Sequence, residues 1–403
     1  MKPFEELTSL EEAMDLILSN VERIDRFEKV GLEDADGRVL YEDVDVPFDV
    51  PPFDRSAMDG YALHASDTLN ASEETPAVLR ITGKQHTGDL FEDIIGLGEC
   101  VEISTGAPIP NGVDAVVMVE YTETEGNLVK VFKEVKPGRN IAPAGEDMKK
   151  GHRVLKVGEY ITPGKVGTLA ALGYENIKVY ERPQVGVYSS GPEIVPQGQE
   201  LGPGEIYDIN SFTISSVIKR NGGVPLRMGI VPDNYESIKE SIREASKFDL
   251  VVLSGGSSVG SRDLFADVVQ EIGEILFHGV RVKPGKPTLF GKIDGTPIFG
   301  MPGYPTSCLN NSYVFLTPGL RKIAGLPPVN RREITVKMGH RMESKSDREQ
   351  FITVRIREGK AFRVFKHSGD ITSMTHADGF MVLPIGKSII KESEPVRVTL
   401  FND

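Results

Sequence analysis

The sequence predicts an α/β multidomain protein, and three observations predict it. From Gln184 to Gly273, β-prone runs alternate with helical ones (QVGVYSS, SFTISSVIKRNGG, PLRMGIV, YESIKESIREASKF, DLVVLS, RDLFADVVQEIG), the pattern of a doubly wound, mostly parallel sheet. DLVVLS is apolar on both faces, as a strand covered by helices on each side must be. On either side of this block lie β-rich stretches, short strands punctuated by Gly, Pro, Asn and Asp.

Taken in order, SLEEAMDLILSNVERI opens with Ser9 and Glu12 in capping-box spacing, and Leu10, Ala13, Met14, Ile17, Leu18 and Val21 recur on one helical face. An amphipathic helix follows. The runs AVLRITG, ECVEIS, AVVMVEYTET and NLVKVFKEV then predict a β-rich inserted domain over residues 46–145. ITPGKVGTLAALGYENI predicts a second helix, with Thr162 as N-cap, Pro163 at the first helical position and Gly173 at its end. The chain flanking the insert, residues 1–45 and 146–180, reads as a small helical/β N-terminal domain. Residues 181–326 form the α/β domain. After Leu326-Pro327-Pro328, the runs REITVKM, QFITVRI, AFRVFKH, GFMVLPI and EPVRVTLF predict a small C-terminal β-barrel over 327–403.

Composition excludes several classes of partner. A formal net charge of −13 argues against nucleic acid or an anionic membrane surface. No apolar run approaches the roughly 18 residues of a membrane span, and MKPFEELTSLEEAM is too acidic for a targeting peptide, so a cytoplasmic protein is expected. Cys100 and Cys308 have no C-x-x-C spacing, which supports neither a disulfide framework nor a thiolate zinc site. A hard cation such as magnesium fits the remaining chemistry. A small anion fits too, because charge farther away than about 8 Å is screened and local lysines decide.

The candidate site residues lie at strand exits. In LSGGSSVGSRD, Gly255, Gly256 and Gly260 let backbone N–H groups approach an anion, and Ser257 and Ser258 offer hydroxyls. Asp263 would repel a phosphate unless a divalent cation or proton lies between. The same stretch reads equally as a tight strand-to-helix turn with Asp263 favouring the helix dipole. VRVKPGKPTLFG places Lys283 and Lys286 at the ends of a type II turn, beside Arg281, where an anion would relieve their repulsion. MPGYPTS carries Pro302, a helix-starting Pro305, and N–H groups near Thr306 and Ser307 that could hold an anion. Glu193 in SSGPEI and Asp233 in GIVPDN read singly as helix caps. With Asp263 and the lysines they describe a magnesium-assisted site for a phosphorylated ligand. In the insert, Asp59-Gly60 and Asn111-Gly112 are hairpin signals. Arg348 and Ser373 in the tail read as surface residues.

PPFDRSAMDGYAL, STGAPIPNGVDAVV, LSGGSSVGSRD, VKPGKP and GMPGYPTS, in that order along essentially the whole chain, resemble the molybdenum insertases, the MoeA-type molybdopterin molybdenumtransferases and the gephyrin E domain. The resemblance implies a transferase of molybdenum cofactor biosynthesis whose substrates are molybdate and adenylylated molybdopterin, with magnesium-dependent release of AMP. It implies Ser258 and Asp263 at the adenylate and magnesium site, with Asp233 a further metal ligand. It implies Lys283 and Lys286 on molybdate and the pterin phosphate, and Arg348 and Ser373 on molybdate. Asp59 and Thr105 would reach into a neighbouring subunit's cleft in a homodimer. The upstream adenylyltransferase and acceptor molybdoenzymes would be partners. SSGPEI and GYPTS depart from the family's STGDEL and GNPVS at Pro192 and Tyr304. Two other readings are a molybdopterin adenylyltransferase, since GGxS loops occur in that step too, and a non-catalytic cofactor carrier or scaffold.

Overall fold

Residues 6–245, 247–255, 263–344, 347–364 and 366–401 are described in the computed structural model. The readings of Gly256, Ser257, Ser258 and Gly260 fall outside these residues. Contacts divide the chain into two units, Gly31–Asp36 with Glu42–Ile177, and Met1–Val30 with Gly37–Tyr41 and Lys178–Asp403.

The second of these units begins with helix α1 (Leu10–Ser19), where Ser9 Oγ accepts the Glu12 N–H at 3.1 Å as the capping pattern requires. Ala13, Ile17 and Val21 are buried beside Val185, Leu250, Phe299 and Phe315, so the apolar stripe of α1 belongs to the α/β core. Burying a side chain such as Ile17 contributes about 1.5–3 kcal/mol.

The insert unit holds strands β1 (Gly60–Leu63), β2 (Ala77–Gln85), β3 (Glu99–Ile103), β4 (Ala115–Met118), β5 (Thr122–Glu125) and β6 (Leu128–Val131) in one sheet of order β4-β1-β3-β2-β6-β5. Tyr61, Leu63, Leu79, Cys100, Val117 and Val129 fill its core. Neither hairpin signal closes a two-residue hairpin. Gly60 instead starts β1, where a Cβ would stand 1.8 Å from the Val117 carbonyl oxygen. Asn111-Gly112 lies between β3 and β4, which each pair with β1 and not with one another. Helix α2 (Pro163–Ala171) follows, with Pro163 in its first turn; Thr162 makes no side-chain cap bond.

The α/β region runs β7 (Gln184–Ser190), α3 (Asn210–Arg220), β8 (Val224–Val231), α4 (Tyr235–Ala245), β9 (Leu250–Ser254), α5 (Leu264–Ile272), β10 (Glu274–His278), β11 (Val282–Lys283), β12 (Leu289–Ile293), β13 (Thr296–Met301), α6 (Pro305–Asn311) and α7 (Thr317–Ile323). Its sheet has the order β8-β7-β9-β13-β12-β10, parallel from β8 through β13 and antiparallel at β12. Every residue of β9 is buried, and both of its neighbours are parallel. Ile214, Ile218, Leu320 and Ile323 of α3 and α7 join α1 on one face; Ile238, Ile242, Phe265 and Val268 of α4 and α5 cover the other. This is the doubly wound architecture that the alternation predicts.

Strands β14 (Glu333–Met338), β15 (Glu349–Arg357), β16 (Lys360–Arg363), β17 (Gly379–Leu383) and β18 (Pro395–Leu400) close on themselves in the order β15-β16-β14-β18-β17, with β17 returning to β15. Met338, Ile352, Val354, Met381 and Val398 fill this small barrel. The short β11, from the α/β segment, pairs parallel with β15 on the outside of the ring.

Candidate active site

The carboxyl ends of β7, β9 and β13 meet at Gly255. Its N–H donates to the Met301 carbonyl at 3.2 Å, and a Cβ on it would lie 1.9 Å from the Ser190 carbonyl oxygen. With φ at 94° as well, only glycine serves here. Behind these ends the buried Asp208 accepts from Ser189 Oγ at 2.9 Å, from the Ser211 N–H at 3.1 Å and from Ser211 Oγ at 2.5 Å. Asn210 Nδ2 donates to the Gly303 carbonyl at 2.8 Å, which ties the start of α3 to the MPGYPTS loop. Sequence reading missed Asp208 and Asn210, although an acid three residues before Ser211 and an asparagine directly before SFTISS are recognisable helix-start signals.

The three acids take different places. Asp263 is the N-cap of α5: one carboxylate oxygen accepts the Ala266 N–H at 3.1 Å and the other lies 3.1 Å from His278 Nε2. Asp233 is exposed, 3.5 Å from Ser190 Oγ. It caps nothing, because Asn234 Oδ1 takes the Ser237 N–H that starts α4. Glu193 is exposed and leads into the two-residue pairing of Ile194–Val195 with Ile206–Tyr207, so no helix follows for it to cap. Among the described residues no three His, Cys, Asp or Glu side chains form a group that could hold a metal. Asp263 and Asp233 remain hard oxygen donors with lone pairs to spare, which suits a cation that keeps most of its ligands from water and substrate.

The lysine turn is anchored from below. Gly285 has φ 104°, and a Cβ there would lie 2.3 Å from Asn311 Nδ2. Asn311 Nδ2 donates to the Gly285 carbonyl at 2.8 Å and to Thr288 Oγ1 at 2.6 Å, and Thr288 Oγ1 donates to Gly285 at 2.9 Å. These groups are buried, whereas Lys283 is exposed and Lys286 half-buried. The Lys283–Pro284 bond is cis. On the other side β11 pairs with β15, Val282 opposite Glu349 and Lys283 opposite Gln350, and the Glu349 N–H donates to the Arg281 carbonyl at 3.1 Å. Arg348 immediately precedes that ladder. Residues far apart in sequence thus place three cationic side chains around one short stretch of backbone.

Two expectations are corrected here. The Thr306 N–H is not open to an anion: it donates to the Ser368 carbonyl at 3.0 Å, while Thr306 Oγ1 donates to the Asp370 carbonyl at 2.9 Å. Pro305 does start α6, and Pro302 and Ser307 are buried beside it. Ser373 is not a surface residue. It is 1% exposed, and its hydroxyl accepts the Lys366 N–H at 3.1 Å. The tail loop that sequence alone left on the surface is folded against the start of α6.

In the insert unit Asp59 and Thr105, 46 residues apart, come together: the Thr105 N–H donates to Asp59 Oδ1 at 2.8 Å. That bond, with the Thr105 side chain, holds the exposed Asp59 carboxyl below the usual carboxylate range. The backbone bonds from Ser56 to Ala107 at 2.9 Å and from Gly106 to Ser56 at 2.7 Å fix the two loops edge to edge.

Residues 8–173 match the MoeA N-terminal region (domain I and II), residues 191–322 the "Probable molybdopterin binding domain" and residues 335–401 the MoeA C-terminal region (domain IV). The molybdopterin molybdenumtransferases of Haemophilus influenzae and Nostoc sp. are 36% and 30% identical to this chain, across 79% and 99% of it and 78% and 95% of their own lengths. The chain belongs to the MoeA family. Two solved structures of the molybdopterin biosynthesis MoeA protein from Pyrococcus horikoshii align with TM-scores of 0.87 and 0.82 at 39% and 33% identity, over 99% and 98% of this chain and 100% of theirs. The protein is accordingly an enzyme of the molybdopterin molybdenumtransferase kind, a transferase of molybdenum cofactor biosynthesis. Within this MoeA fold the departures Pro192 and Tyr304 occupy a turn and the exposed N-cap position of α6, where Tyr304 makes no side-chain cap bond. No helix among the described residues is long and apolar enough to cross a membrane.

Proposed function

We propose that this MoeA-family transferase inserts molybdate into adenylylated molybdopterin and releases AMP, with magnesium, as a cytoplasmic homodimer. The observation that carries the reading is the β11–β15 ladder, which sets the Lys283 and Lys286 turn beside Arg348. In a protein of net charge −13, such a local cluster gives a doubly charged oxyanion a place to bind. Lys283, Lys286 and Arg348 hold molybdate, and the buried Ser373 keeps the tail loop in place around it. Glu193, Gly255, Pro302, Pro305 and Ser307 are assigned to the adenylylated pterin, as are Gly256, Ser257 and Ser258, which lie outside the described residues; backbone N–H groups there would stabilise charge that develops at the cleaved phosphate. Asp263 and Asp233 would hold the magnesium ion, which when bound supplies charge neutralisation at the phosphoanhydride. Asp59 and Thr105 act in the cleft of a second subunit, with residues 1–45 and 146–180 contributing dimer contacts.

The test is AMP release from adenylylated molybdopterin with and without molybdate. Molybdate-dependent release supports insertion. ATP consumption with pyrophosphate release would establish an adenylyltransferase instead, and no turnover by the pure protein would leave a carrier. Lys286→Ala should raise the molybdate concentration needed for half-maximal rate by about 10- to 100-fold, the worth of one charged hydrogen bond.

A further inference from the structure

We propose that Asp347 is a built-in counter-ion of the oxyanion site, competing with molybdate for the charges of Arg348 and Lys286 and so setting how tightly the oxyanion is held. The inference rests on the reading of the lysine turn given above. Asp347 Oδ1 lies 3.2 Å from Arg348 Nε, and the Asp347 side chain is 83% exposed against 27% for Arg348. The β11–β15 ladder begins two residues later, at Glu349 opposite Val282, and two residues before Val282 the Val280 N–H donates to the Lys286 carbonyl at 2.9 Å, which folds Lys286 back toward the start of that ladder. Its carboxyl is held below the usual carboxylate range by its own backbone N–H first, then by Arg348, with a further contribution from Lys286. The carboxylate therefore pairs with Arg348 and lies within the field of Lys286, two of the cations assigned to molybdate.

An exposed carboxylate–guanidinium pair is weak, so an arriving dianion displaces it at small cost. The same weakness serves the next step. Molybdenum must leave the cations to bond the dithiolene sulfurs, and oxyanion binding that is equally strong before and during that transfer does not speed it. A carboxylate that returns toward Arg348 and Lys286 as the oxyanion departs offsets part of the attraction lost when it leaves.

The test is equilibrium dialysis of tungstate, a tetrahedral dianion, against the full-length protein and its Asp347→Asn, Asp347→Glu and Lys286→Ala variants. Asp347→Asn should bind tungstate about 1.5- to fivefold tighter, as removal of one exposed competing charge predicts, and Asp347→Glu should match the parent. In turnover, Asp347→Asn should lower both KM for molybdate and kcat. An Asp347→Asn affinity that is unchanged or weaker overturns the proposal, the weaker result meaning that Asp347 merely orients Arg348. Lys286→Ala separates the two ideas. If it binds tungstate as the parent does, the lysine turn is not the oxyanion site and the counter-ion falls with it. If it loses tungstate while Asp347→Asn is unchanged, only the counter-ion falls. The position is exposed, so a melting temperature equal to the parent's is expected for Asp347→Asn.

Discussion

The turn from Lys283 to Lys286 is held from beneath by buried side chains, Asn311 and Thr288, whereas the loop that carries Asp59 is held edge-on by backbone bonds of Ser56 with Ala107 and Gly106, and its Asp59 carboxylate accepts the Thr105 N–H. Both are short, glycine-punctuated segments that present charged groups to solvent. The first depends on a polar cluster with no water to fall back on, so damage below it propagates into the fold. The second depends mostly on backbone bonds that a side-chain substitution leaves in place, and Asp59→Asn keeps an oxygen to accept the Thr105 N–H, so damage there stays chemical.

The sharpest way to break this contrast is Asn311→Ala. It removes one of the two donors to the buried Gly285 carbonyl, which keeps Thr288 Oγ1, and leaves Asn310 Nδ2 without the Asn311 Oδ1 to which it donates, and should cost roughly 1–3 kcal/mol, read as a lowered melting temperature. A variant that melts with the parent would mean the lysine turn does not rely on Asn311.

Asp263 stands between the two cases, since it caps α5 and also faces His278. Asp263→Ala should lose about 1 kcal/mol of stability from the missing cap, remain folded, and release AMP at least about a hundredfold more slowly. Normal molybdate-dependent release by this variant would remove Asp263 from the chemistry.

Asp59→Asn should have the smallest effect on stability, leaving the melting temperature at the parent's, while slowing turnover. The pH behaviour of Asp59 refines the comparison. Its folded carboxyl titrates lower than an unfolded one because Thr105 donates to it, so its contribution to stability is present above the unfolded carboxylate range and is lost as pH falls through the depressed folded value. A carbon-13 titration of the Asp59 carboxyl that gives an ordinary aspartate value, about 3.9, would show that the Thr105 bond does not form in solution.

Much of the scaffold was legible because its signals are local. The Ser9 cap acts across three residues, Pro163 starts its helix in place, and DLVVLS advertises burial on both faces. The lysines, Arg348 and Ser373 were legible as motif residues. Asp208, Asn311 and His278, which hold or face the site, were not, since each works through a partner that only the folded chain brings near. The Asn310-Asn311 pair inside a buried helix was a usable hint, because amide side chains are seldom buried without a fixed partner.

By itself the amino-acid order determined which segments become strand or helix, how the central block winds, and which acids and lysines stand at strand exits, because periodicity, caps and turn residues act within a few positions of one another. Tertiary structure alone decided that α1 covers the α/β sheet, that the tail loop takes the Thr306 N–H, and that β11 joins β15, the strand that follows Arg348. Those pairings join segments tens to hundreds of residues apart. They are selected by burial and by the need of every buried N–H and C=O for a partner, neither of which is written at any single position.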